Sequence, residues 1–257
     1  MGATTVLCLG GTGSVGRLVV AELTRAGGTA RVLTRDPRRA RSIADPAVEI
    51  AGGDFSDVAS VAAALTDVEA VVMTHGAPYG SGDYEAVDYG AVRTLVEALG
   101  DRTARVALMT SIGVTGTGTG DDAADLLRWK RRGERLLRAS GLPYTIVRPG
   151  WFDTGTGDEE RVDLRQGDLT EYGPVRRRHV AETLVHALRT PAATGRTVEV
   201  FSVDGPPLDD WEAAFASTDP DPLPSTASAF NGAHDRATLP LDQEPAGVLA
   251  DLRHAAR

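Results

Sequence analysis

Two hydrophobic rhythms alternate along the chain. Short apolar runs, Thr5 to Leu9, Thr29 to Thr34, Val48 to Ala51, Ala70 to Thr74, Arg105 to Thr110, Tyr144 to Arg148 and Thr197 to Val203, read as strands. Between them lie stretches of helical spacing: Arg17 to Leu23, Arg38 to Ala44, Val58 to Leu65, about Asp83 to Leu99, a segment opened by Asp121-Asp122, and Arg178 to Val185. Strands alternating with helices imply βαβ units, and so a parallel sheet covered on both faces. Residues 1–216 are expected to form this α/β domain, and 217–257 a C-terminal arm or tail that ends in a short helix from Ala246 to Arg257. The irregular, polar stretch from Trp151 to Gly173 belongs to a substrate region at about 151–177.

The first strand runs into Gly10-Gly11-Thr12-Gly13-Ser14-Val15-Gly16, which opens the first helix. Glycines at a strand-to-helix turn permit a tight bend, a close approach to a pyrophosphate and close packing of helix on strand, while the N–H groups of the helix start face an anion. The loop is expected to hold a dinucleotide in a Rossmann-like, doubly wound fold. Ligands of open α/β sheets bind outside the carboxyl ends of the strands, so Gly10 to Gly16, Arg35, Asp54, His75 and Ser111 are expected in one crevice, with the run Gly113 to Gly120 as a flexible loop beside it. At the end of the second strand an arginine favours the 2′-phosphate of NADP and an acid the ribose of NAD. Arg35, with Arg38 and Arg39 close by, favours NADP(H); NAD(H), bound through Asp36, is the alternative.

Composition narrows the partners. The chain has 257 residues, 42% hydrophobic and 25% charged, with a formal net charge of -9. That charge argues against a nucleic-acid surface. No apolar run approaches a membrane span, and Met1 to Thr4 lead directly into the fold, so a cytoplasmic protein acting on a small molecule is expected, as monomer or homodimer. The single cysteine, Cys8, falls within the first strand and reads as a buried, inert thiol. In the helix after Asp121-Asp122, Leu126, Lys130, Gly133 and Leu137 share one face, and Arg128, Arg131, Arg132, Arg135 and Arg138 form a stripe that reads as solvated. This rotation turns Lys130 inward, either as a site residue or as a snorkelling one.

The spacing Gly10, Gly13, Gly16 and the stretch Ser140-Gly141-Leu142-Pro143-Tyr144-Thr145-Ile146-Val147-Arg148-Pro149-Gly150 resemble the atypical short-chain dehydrogenase/reductases of the NAD(P)H-binding type. That group includes proteins like NmrA, biliverdin-IXβ/flavin reductases and phenylpropanoid reductases; the segment from Arg178 to Val185 resembles its R-x-D/H-V-A helix. The resemblance implies cofactor contacts from Gly10, Thr12, Gly13, Ser14, Val15, Gly16 and Pro149, Asp54 and Phe55 beside the adenine, and His75 and Gly76 beneath the nicotinamide ribose. It also implies that Ser111 and Lys130 are the catalytic serine and lysine, whereas Leu126 stands where the proton-donating tyrosine is expected. Trp151, Phe152 and Tyr79 are expected to line the substrate. An NADPH-dependent reductase of a quinone, flavin, enone or ketone follows, with Lys130, a water, Tyr79 or Tyr84 as proton donor. The missing tyrosine keeps a redox-inactive NADP-sensing regulator as the alternative, and a sugar-nucleotide epimerase or dehydratase as a further one. If Lys130 is a site residue, Lys130→Met is expected to weaken cofactor binding or turnover about ten-fold or more and to leave the fold largely intact; if it only snorkels, the change is expected to be silent in both and even stabilising.

Overall fold

The structure, a computed structural model, describes residues 4–40, 43, 45–116, 122–152, 159–169, 173–222 and 230–256. Its chain order is β1 (Thr5–Leu9), α1 (Ser14–Arg25), β2 (Thr29–Thr34), α2 (Pro37–Ala40), β3 (Val48–Gly52), α3 (Val58–Ala64), β4 (Ala70–Met73), a π-helical turn (Glu85–Tyr89), α4 (Gly90–Leu99), β5 (Arg105–Met109) and α5 (Asp122–Ala139). Then follow β6 (Tyr144–Pro149), β7 (Trp151–Phe152), β8 (Arg161–Arg165), β9 (Pro174–Val175), α6 (Arg177–Arg189), β10 (Arg196–Val203), α7 (Trp211–Ala216), α8 (Ala233–Thr238) and α9 (Ala246–Ala255).

Eight strands form one sheet in the order β3-β2-β1-β4-β5-β6-β10-β8, parallel except for β8, which pairs antiparallel with β10. The order reverses between β1 and β4, so the crevice opens there at the carboxyl ends of the strands. The central strands are covered on both faces, which explains their unbroken apolar runs. On one face Val6, Cys8 and Val32 pack with Val19 and Leu23 of α1 and Val180 and Leu184 of α6. On the other, Leu7, Leu9 and Met73 pack with Val61, Leu95 and Leu137. Burial pushes the Cys8 thiol up to about 12, so it is chemically inert at neutral pH. Among the described residues, no helix is long and apolar enough to cross a membrane.

Several elements depart from the expected pattern. The helix expected from Asp83 to Leu99 begins with the π turn, which moves Asp88 into the interior. Arg161–Arg165, within the stretch read as irregular, is a strand: β10 supplies its pairing partners, and Val162 is buried at 3% exposure. Of the expected helix Arg38 to Ala44, residues 41, 42 and 44 lie outside the described residues, as do 117–120 of the glycine-rich loop.

The main correction concerns the arginine stripe of α5, most of which is buried rather than solvated: Arg131, Arg132, Arg135 and Arg138 are between 0% and 8% exposed, and Arg128 is half-buried. The polar segment after α7 folds back over them. Arg131 and Arg135 donate to Asp235, Arg132 and Arg135 to Glu244, and Arg138 to Asp221 and Thr197. A forked guanidinium can satisfy two carboxylates and a carbonyl together, which makes such burial affordable where a lysine would fail. The acids lie 83 to 112 residues further along the chain, beyond the reach of a periodicity argument.

Candidate functional site

Backbone geometry forms the floor of the crevice. Gly10 takes φ +93, and a Cβ there would lie 2.6 Å from the backbone nitrogen of His75. A Cβ on Gly16 would lie 2.1 Å from the carbonyl oxygen of Gly10, so α1 starts pressed against the turn it leaves. Gly13 is the extended N-cap of α1, with no side-chain cap and no acid in the first turn. The N–H groups there face an open cradle suited to a pyrophosphate. Thr12, Gly13 and Ser14 are accessible, while the side chains of Val15, Val19 and Val20 anchor the helix in the core.

The end of β2 carries charge of both signs. The Arg35 side chain is 73% exposed, with Nη1 3.8 Å from Asp54 Oδ2. Asp36, the competing ribose ligand, accepts the Arg38 N–H through Oδ1 at 3.0 Å and so caps its own turn. Asp54 Oδ1 likewise accepts the Ser56 N–H at 2.9 Å. Arg17 Nε donates to Thr12 O at 3.0 Å, and its Nη2 to Arg39 O at 3.4 Å, so a second guanidinium joins the glycine loop to α2. Both acids are engaged by local backbone groups, and arginines dominate the rim.

At the end of β4 lies a buried ion pair. Lys130 reaches inward from α5 and donates from Nζ to Asp88 Oδ1 at 2.6 Å; the lysine side chain is 11% exposed and the carboxylate 1%. Asp88 Oδ2 accepts the Ala77 N–H at 3.3 Å, tying the pair to the chain that leaves β4. A Cβ on Gly76 would lie 3.5 Å from Lys130 Nζ. Gly133 allows α5 to approach this closely, since a Cβ there would meet Asp88 O at 2.9 Å. Asp88 escaped sequence reasoning because it lies 42 residues from its partner, in a π turn that periodicity reads as ordinary helix.

His75 is buried beside this pair, its ring 5.7 Å from that of Phe55. Burial first, and then the Lys130 charge, push its imidazole down to about 3. Its Nδ1 has no hydrogen-bond partner in the protein, which leaves a buried ring nitrogen available to a ligand. The imidazole is expected to stay neutral from pH 8 down to at least pH 5, read from ring nitrogen chemical shifts; a transition near the ordinary histidine value of 6.5 would contradict this. The sign is definite: an unfolded chain takes up this proton below about 6.5 and the folded one does not, so His75 costs stability as pH falls through that range.

The other candidates are more dispersed. Ser111 Oγ donates to Ile112 O at 3.0 Å and is not part of the Lys130–Asp88 pair. Pro149 has its carbonyl engaged by the Ile112 N–H at 3.1 Å, so it supports the serine loop from β6. Trp151, in β7, and Tyr79, in the loop after β4, are 58% and 69% exposed. Phe152 lies beneath the Arg177 guanidinium at 4.7 Å. Tyr84 is buried, and its hydroxyl accepts the Gly80 N–H at 2.7 Å. Leu126 lies on α5 one turn before Lys130, where the resemblance expects a tyrosine.

The profile of the NAD(P)H-binding family matches residues 10–191. An uncharacterized chloroplastic protein of Arabidopsis thaliana is 29% identical, over 82% of this chain and 74% of its own length. A (4-alkanoyl-5-oxo-2,5-dihydrofuran-3-yl)methyl phosphate reductase of Streptomyces griseus is 31% identical, over 78% of this chain and 68% of its own. The chloroplastic TIC 62 protein of Pisum sativum is 28% identical over 79% of this chain, which spans only 44% of that protein's length. Among solved structures, an anaerobilin reductase from Escherichia coli superposes with a TM-score of 0.63 at 26% identity, covering 80% of this chain and 100% of the other. A Veillonella parvula short-chain dehydrogenase/reductase in complex with NADP superposes with a TM-score of 0.63 at 19% identity, covering 77% and 94%. With the family profile spanning most of the chain, the protein belongs to the NAD(P)H-binding family.

Proposed function

We propose that the protein is an NADPH-dependent reductase of a small conjugated or carbonyl acceptor, in the class of quinones, flavins, enones and ketones. The observation that carries this reading is the ammonium of Lys130, held by the buried Asp88 carboxylate against the end of β4 beside the glycine cradle. The relatives named as reductases support it, one of them acting on a conjugated furanone phosphate. The net charge of -9 supports a small-molecule partner rather than nucleic acid, in a cytoplasmic protein.

Bound NADPH supplies a hydride. The first-turn N–H groups of α1 would hold its pyrophosphate, Arg35 its 2′-phosphate, and His75 Nδ1 would accept from a ribose hydroxyl. Asp88 takes one N–H of Lys130 and keeps the ammonium oriented, leaving the remaining N–H groups for the ribose and for the acceptor's oxygen. Ser111 would turn its hydroxyl from Ile112 O to the acceptor. With Leu126 in place of a phenol, a simple ketone lacks its usual acid, a loss of about 10²–10⁴ in rate. Conjugated acceptors, whose reduced forms need less protonation in the transition state, suit this site best.

NADPH is expected to bind about ten-fold more tightly than NADH, equivalent to about 1.4 kcal/mol, and Arg35→Ala should remove most of that preference in a fluorescence titration. Equal affinities in the unmodified protein would assign the ribose to Asp36 instead. Oxidation of NADPH by menadione, free flavin and an enone tests the activity itself. Tight NADPH binding with no turnover on any of the three would favour the sensing regulator.

A further inference from the structure

Ser111 is held from both sides by one buried chain of charges. On its N-terminal side, Thr110 Oγ1 donates to Glu134 Oε1 at 2.6 Å. On its C-terminal side, Asp168 accepts the Gly113 N–H through Oδ1 at 2.6 Å, and both the N–H and the hydroxyl of Thr115 through Oδ2 at 2.7 Å each. Arg148 lies between the two carboxylates. It forks onto Glu134 from Nε at 3.0 Å and Nη2 at 2.6 Å, and its Nη1 lies 4.0 Å from Asp168 Oδ2. The side chains of Glu134, Arg148 and Asp168 are all at most 2% exposed. The Glu134 carboxyl stays below its ordinary range because the Arg148 and Arg138 charges outweigh its burial.

Backbone conformation adds an independent observation. Asp168 adopts φ +56, a left-handed value that only one other described non-glycine residue, Asp67, shares. Asparagine and aspartate tolerate this conformation better than other side chains. Here the strained residue is the one whose carboxylate makes three bonds to a single loop, so the strain directs those acceptors. The glycine-rich stretch expected to be flexible is therefore fixed over Gly113 to Gly116.

We propose that Asp168 is a positioning residue: bonded directly to Gly113 and Thr115 and lying within ion-pair range of Arg148, which is itself bonded to Glu134, it sets where Ser111 stands against the nicotinamide end of the crevice. The proposal rests on the reductase reading for its kinetic consequence. It places Asp168 outside dinucleotide binding, because none of its bonds reaches the glycine cradle or the end of β2.

The test is Asp168→Asn, which keeps the left-handed backbone and replaces one acceptor oxygen with a donor facing another N–H. NADPH affinity should stay within about two-fold, kcat with menadione should fall about ten-fold, and amide exchange at Gly113 and Thr115 should accelerate about ten-fold while Gly10 to Gly16 do not change. Unchanged kcat alongside accelerated exchange would make the clasp merely structural and overturn the proposal, as would unchanged exchange. Should Asp168→Asn fail to fold, Thr115→Val, which removes one bond of the three, is expected to lower kcat about three-fold; an unchanged kcat there overturns it. If the unmodified protein turns over no acceptor, the reductase reading fails by itself, and the positioning claim is judged by the nicotinamide emission of bound NADPH. That emission should shift in Asp168→Asn at unchanged affinity, and an identical emission would overturn the claim.

Discussion

Lys130→Met is expected to reduce kcat/KM about 100-fold and also to destabilise the fold by about 3–5 kcal/mol. The stability loss reverses what the sequence implies, namely a lysine whose replacement spares the fold. Its cause is Asp88: with 1% of its side chain exposed, it loses its cation and keeps only the Ala77 N–H. A buried charge without a counter-ion costs more than the pair contributes when intact. In a chain of this length each kcal/mol moves the melting temperature by about 2–4 °C, so a fall of about 10 °C is expected. The double variant Asp88→Asn/Lys130→Met removes both charges and keeps an acceptor for Ala77. It should recover most of the melting temperature and none of the turnover. Separating the two readouts in this way shows whether Lys130 acts on ligand or only neutralises Asp88. Recovery of turnover in the double variant would remove Lys130 from the chemistry.

What the sequence made legible was local. Gly10, Gly13 and Gly16 sit within seven residues of each other between a strand and a helix, and their roles follow from φ and contact distances within that turn. The end-of-strand positions Arg35, His75 and Ser111 follow from the alternation of elements, because a parallel sheet puts every carboxyl end on one edge. The inward rotation of Lys130 was also legible, but for an incomplete reason. Periodicity showed that the lysine and the arginines occupy different faces of α5, and solvent was the default for the charged face. Both faces are in fact buried, because Asp221, Asp235 and Glu244 come from a polar stretch with little hydrophobic signal of its own. Asp88, Glu134, Arg148 and Asp168 were missed for a related reason: each draws its meaning from a partner on another element. Arg148 lay inside a recognised segment, yet nothing in its neighbours indicated Glu134 or Asp168.

The buried arginine face gives the largest expected effect on stability alone. Arg135 is fully buried; it donates from Nη2 to Asp235 Oδ1 at 2.8 Å and to Leu239 O at 2.7 Å, binds Glu244 through Nη1, and lies over the Phe230 ring at 4.5 Å. Arg135→Ala leaves two carboxylates with one arginine each and opens a cavity beneath the arm, with an expected loss of about 4 kcal/mol, or roughly 10 °C in melting temperature. Acid should have a related effect. Burial alone would raise the Asp235 carboxyl, but the charges of Arg135 and Arg131 overcome it and hold it at about 2, against 3.8 in the unfolded chain. A depressed carboxyl stabilises above the unfolded value, and that contribution is lost as pH falls from about 4 to about 2. Arg135→Ala should weaken this contribution and raise the Asp235 value, so that acid unfolding of the variant begins at higher pH. Because Arg135 makes no contact with the crevice residues, NADPH affinity at neutral pH and low temperature should stay close to that of the unmodified protein. A variant that unfolds at the same temperature and the same pH as the parent would show that the arm and its arginine face contribute nothing to holding α5 in place.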